Sequence, residues 1–173
     1  MRKFRTLYLS VCIVFLFGTT AVYAQKRGPS TPEERQKAIQ MIEVMETDPF
    51  SKNAEDYRGP VFAFLESVPD ITIKICPSVL GDMKKLKGDS GSILVGQLIY
   101  SQAKFIIQNP DKADDYDAFQ LAGLEGVLRT YQSMKKSKPK TKFETLDSLE
   151  QLRVSGQLAN HIATSTASCK QKS

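Results

Sequence analysis

Two glycines set inside a long helical pattern constrain this chain more than any other feature. From Ala113 to about Met134 the apolar residues Tyr116, Phe119, Leu121, Leu124, Val127, Leu128 and Tyr131 recur at helical spacing. Ala122, Gly123 and Gly126 interrupt that face with small residues. Each glycine inside a helix costs about 1 kcal/mol relative to alanine. Close approach of a neighbouring helix is the natural compensation. The preceding segment, Ser92 to Gln108, carries Ile93, Leu94, Leu98, Ile99, Phe105, Ile106 and Ile107 around much of its circumference, the pattern of a centrally buried helix. A helix pressed on a helix is therefore the expected heart of the fold.

The other segments agree. Thr31-Pro32-Glu33-Glu34 has the sequence of a capping box with proline at the first helical position, and Ala38, Ile39, Ile42 and Met45 follow. Ser51 can cap a second helix toward Ser67, which Gly59-Pro60 would kink or delay. Cys76-Pro77-Ser78 leads into a short helix to about Leu86, and Lys87-Gly88-Asp89-Ser90-Gly91 is expected as a loop. Phe143, Leu146, Leu149, Leu152 and Val154 form a helix ending near Gly156, with a last short helix to Cys169. Ile71-Thr72-Ile73-Lys74-Ile75 alternates like a strand but has no hairpin partner. It is expected as an extended connection or an irregular helix start. The fold class is all-α: a single-domain bundle of about five to seven helices over residues 31–173.

The N-terminus sets the compartment. Arg2, Lys3 and Arg5 precede an apolar run from Leu7 to Gly18, and Val22-Tyr23-Ala24 supplies small residues for a peptidase. These are the three parts of a cleavable signal peptide, expected over residues 1–24. The run is too short for a membrane span of about 20 residues. Cleavage after Ala24 leaves 149 of the 173 residues and lowers the formal charge from +5 to +2. A charge of +2 gives no reason to expect nucleic-acid binding. Residues 25–30 read as a flexible leader. The expected location is periplasmic or extracellular, with the membrane met only through the signal.

Cys12 leaves with the signal, so Cys76 and Cys169 remain in an oxidising compartment, and one disulfide between them is the simplest expectation. His161 is the only histidine, too few nitrogen and sulfur ligands for structural zinc. No cofactor or metal is expected.

Gly88-Asp89-Ser90-Gly91 has the form of a serine-protease nucleophile loop, yet His161 follows the serine and strands are lacking. Ser101-Gln102-Ala103-Lys104 and Ser133-Met134-Lys135-Lys136 fit the Ser-x-x-Lys spacing of penicillin-binding enzymes without its partner motifs. Asp111, Asp114, Asp115 and Asp117 lack the glycine that a calcium loop bends on. No catalytic set assembles. Lys135, Lys136, Lys138, Lys140 and Lys142 form a basic linker, the best candidate for a partner surface.

Val95-Gly96-Gln97-Leu98, then Asn109-Pro110-Asp111-Lys112, then the Ala/Gly/Leu-rich helix, are similar to the later half of small periplasmic immunity proteins of the Tai type. Those proteins block peptidoglycan amidases delivered by type VI secretion. The resemblance implies a secreted, all-helical, disulfide-tied protein and assigns no functional residue. The expectation is an exported, non-enzymatic binding protein with an unidentified partner. A small cell-envelope hydrolase and a basic module on anionic envelope surfaces are the rivals.

Overall fold

The computed structural model describes residues 27–82 and 85–170. The signal-peptide expectation falls on residues 1–24, outside that range. Among the described residues the chain is an all-α bundle with seven α-helical segments and no strand.

The helix α1, Pro32–Thr47, opens on the capping box: Thr31 accepts from the Glu34 amide, and Glu34 accepts from the Thr31 amide. It buries Ala38, Ile42 and Met45, and also Glu46. Ser51 caps α2, Lys52–Ser67, by accepting from the Ala54 amide. Pro60 sits inside α2, which runs through it as one helix rather than starting late. The four-residue link 48–51 folds α1 and α2 back on one another.

The leader is better anchored than its composition suggests. The Ser30 amide and hydroxyl both donate to the Asp70 carboxylate, at 2.8 and 2.7 Å. Arg35 donates to Ser30 Oγ and Asp70 Oδ2, each at 2.7 Å. Arg27 reaches Glu34 and Ser67 and lies over the Phe64 ring. These bonds tie Arg27 and Ser30 to α1 and to the end of α2.

Residues 71–75 are neither helix nor paired strand. A 3-10 turn at Pro77–Leu80 follows, stopped by Gly81 at φ +68°. The helix α3, Gly88–Gln108, starts four residues earlier than expected and takes in the whole Gly-Asp-Ser-Gly motif. Gly91 explains why. A Cβ there would stand 2.4 Å from the Leu86 carbonyl carbon and oxygen, so only glycine lets the chain entering the helix fold across its first turn.

A 3-10 turn at Pro110–Lys112 leads to α4, Tyr116–Ser137, capped by Asp115 through the Ala118 amide at 3.1 Å. Thus α4 begins three residues later than the apolar spacing indicates, because Asp115 takes the cap. Its C-terminal end carries Lys135 and Lys136, so the first three residues of the expected basic linker, 135–137, are helical. The helix α5, Glu144–Val154, ends with Gly156 at φ +72°. The Gln157 amide bonds to Leu152 O and the Gly156 amide to Arg153 O, a Schellman closure. Val154, expected on the apolar face, is 78% exposed. The chain finishes with α6, Leu158–Ser165, and α7, Ala167–Lys170.

The pair α3 and α4 is the axis of the bundle. Leu94 and Leu98 of α3 meet Leu124, Val127 and Leu128 of α4, with Leu146, Leu149 and Ile162 closing the far side. The glycine patch lies in this contact: a Cβ on Gly123 would stand 3.1 Å from the Leu98 carbonyl oxygen. The Cys76–Cys169 disulfide, with Cα atoms 6.0 Å apart, ties the 3-10 turn to α7. No helix of the described residues is long and apolar enough to cross a membrane.

Candidate partner-binding groove

The Tyr131 hydroxyl fixes where the second half of the lysine segment goes. It accepts from the Phe143 amide at 3.0 Å and donates to Asp147 Oδ1 at 3.0 Å, while the ring is fully buried. Burial pushes the phenol pKa above its ordinary value, so the hydroxyl keeps its proton and both bonds. The turn 138–143 is thereby drawn down beside the start of α3.

Along the end of α4 and this turn the lysines do different things. Lys135 Nζ stands 4.5 Å from the Tyr131 ring centroid and 3.4 Å from Asp147 Oδ1. Lys138 Nζ lies 3.6 Å from the centroid of Phe50, in the α1–α2 link. Both contacts are structural ties. Lys136 and Lys140 are exposed, and Lys142 lines a groove. The segment is therefore not a uniform solvated linker.

The groove, about 420 Å³, lies between the 138–143 turn and the chain entering α3. Phe50, Ile93 and Phe143 give it apolar lining; Lys87, Lys138 and Lys142 give it positive charge, and Asp89 is the acidic side chain on its edge. A second hollow of about 600 Å³ continues from it past Lys87 and Lys142 to Lys85, Asp82 and Glu144. Lys85, Lys87 and Lys142 have no ion-pair partner among the described residues. Lys85 and Lys87 were invisible as site residues from the sequence, since nothing local joins them to a segment fifty residues away.

The other candidate motifs resolve into structure. Ser90 lines the lysine groove, whereas His161 lines a different hollow with Leu149 and Leu152, its Nε2 3.0 Å from the Val79 carbonyl. The two do not share a site. Ser101 and Lys104 both turn to Glu46 of α1. Ser101 Oγ donates to Oε1 at 2.8 Å and Lys104 Nζ to Oε2 at 3.0 Å. Arg129 of α4 adds bonds of 3.1 and 3.3 Å, and Gln97 Nε2 donates to Ser101 Oγ. Burial opposes the charge on Glu46, but Arg129 and Lys104 outweigh it and hold the pKa below the ordinary carboxylate value. This ionised latch joins α1, α3 and α4, and it lines no cavity among those described. Asp115 is spent on capping α4, and Asp117 binds Lys170 and Thr166. No group of three potential metal ligands occurs among the described residues. Compared with family models, with curated proteins and with solved structures, the chain finds no match in any of the three.

Proposed function

We propose that this chain is an exported, non-enzymatic binding protein, and that the lysine-lined groove takes an acidic surface of a protein partner. One observation carries the reading: cations from two distant segments, Lys85 and Lys87 on one side and Lys138 and Lys142 on the other, gather over the apolar side chains of Phe50, Ile93 and Phe143. An apolar floor rimmed by charge is the usual anatomy of a protein-binding patch. The resemblance to amidase immunity proteins, which act by binding, is in keeping with it. So is the disulfide, which suits an oxidising compartment.

The test is capture from the native envelope by the exported protein and by its Lys85→Ser, Lys87→Ser, Lys142→Ser variant. The wild-type chain should retain an acidic protein that the variant loses and that 0.5 M salt, by shortening the Debye length to about 4 Å, releases. Binding to anionic vesicles in place of a protein would favour the envelope-surface reading. An activity abolished by Ser90→Ala in a folded protein would favour the hydrolase.

A further inference from the structure

A second groove lies away from the lysine face, beside the extended segment 70–75, and we propose that it binds a short extended peptide carrying one basic side chain. The segment combines three properties. Its burial alternates over residues 71–74, where Ile71 is buried and Ile73 half-buried while Thr72 and Lys74 are exposed, before Ile75 turns outward at 50% exposure. Its backbone is nearly unsatisfied. Among the described residues the only hydrogen bond to the main chain of Ile71–Ile75 is that from Gln120 Nε2 to the Lys74 carbonyl. And it borders a hollow of about 440 Å³, lined on the near side by Asp70, Thr72 and Lys74 and on the far side by Ala113 and Asp114. That volume falls within the range of ligand sites, about 300–1,000 Å³.

Thr72 itself lines the hollow, and neither its N–H nor its C=O has a hydrogen-bond partner among the described residues. A row of unpaired peptide groups along an edge is the chemistry that recognises another extended backbone. The near wall from Asp70 to Lys74 spans four residue steps, about 13 Å, room for three or four residues of peptide.

Charge selects the peptide. Asp70 is already held by Ser30 and Arg35, whereas Asp114 has no hydrogen-bond or ion-pair partner among the described residues. A lysine or arginine of the peptide would pair with Asp114. The Lys74 amine on the opposite wall disfavours a second one. Ile106 and Phe119 on the floor take an apolar side chain.

The test is selection from a displayed library of random heptapeptides on the folded, oxidised wild-type protein, followed by titration of synthetic winners by fluorescence anisotropy. The winners should share one basic residue next to an apolar one. They should lose at least tenfold in affinity to Thr72→Pro, which removes the amide while keeping the preceding residue extended. Asp114→Lys should lose as much. N-methylation of the central peptide bond of the winner should abolish binding to the wild-type protein, a readout independent of how the variants fold. The Lys85, Lys87, Lys142 to Ser variant should bind the winners unchanged, which separates this site from the lysine groove. A selection that enriches nothing, or winners indifferent to N-methylation and to Asp114→Lys, would overturn the proposal.

Discussion

Gly126 and Ser101 touch where a side chain on the glycine could not exist: a Cβ there would lie 1.9 Å from Ser101 Oγ and 2.4 Å from its Cβ. The neighbours cannot give way cheaply, because Ser101 is itself bonded to Glu46 and Gln97. Gly126→Leu should therefore destabilise the protein by more than about 2 kcal/mol through overpacking, and even Gly126→Ala should lower stability. Gly96, in α3, is the internal contrast. A Cβ there meets only Tyr100 at ordinary contact distance, 3.5 Å. Gly96→Ala should stabilise by about 0.5–1 kcal/mol, read from urea denaturation midpoints.

The Glu46 latch makes a prediction about acid. Its side chain is 6% exposed and that of Lys104 14%, while Arg129 is half in solvent. Removing the carboxylate charge strands Lys104, so Glu46→Gln should cost about 3–5 kcal/mol. Arg129→Gln should cost much less. The carboxyl pKa is lower folded than unfolded, so the stabilisation is complete above the ordinary carboxylate pKa of about 4.3 and fades as pH falls through the folded value. Asp70, Asp117 and Glu150 shift the same way and add to the acid limb. Stability measured from pH 7 to pH 2 should fall more shallowly in Glu46→Gln than in wild type. An unchanged slope would show that the latch does not titrate with unfolding.

How far these features could be read from sequence depends on the range of the interaction behind them. The Thr31 capping box, the Gly156 stop and the glycine patch on α4 are local or periodic signals, and all three stand where the sequence puts them. The Gly88–Gly91 motif was misleading because glycines usually mark turns. Here Gly91 instead admits the Leu86 backbone, a contact decided by the path of the incoming chain. The 71–75 alternation has no strand behind it: the segment is neither helix nor paired strand, because pairing is a tertiary property. Lys104 and Arg129 carry no local sign of a common carboxylate on α1, since helix faces meet only after packing. For the same reason the five lysines of 135–142 looked alike in sequence, although Phe50 and Asp147 hold two of them.

The disulfide joins residues 93 apart in sequence. Chain entropy assigns a crosslink of that span about 4–5 kcal/mol. Cys76→Ser with Cys169→Ser should therefore lower stability by a few kcal/mol, and reduction of the native protein should raise its intact mass by about 2 Da. Two thiols reacting freely in native, unreduced material would contradict the bond.

The final prediction separates binding from catalysis. Ser90 and His161 line different hollows, and His161 Nε2 is engaged with the Val79 carbonyl. A general base must reach the hydroxyl it activates within about 3.2 Å, or through one water. His161→Ala should leave biological activity intact apart from a modest loss of stability, and Ser90→Ala, at the wall of the binding groove, should at most weaken partner binding slightly without abolishing activity. Within the lysine segment the effects should divide by contact. Lys135→Ser and Lys138→Ser should loosen the 138–143 turn, seen as faster amide exchange at Phe143. Lys142→Ser and Lys87→Ser should leave the fold untouched, slow association with the partner and flatten its salt dependence. Equal effects on binding from Lys140→Ser, which lies off the groove, would mean that net charge and not the groove recruits the partner.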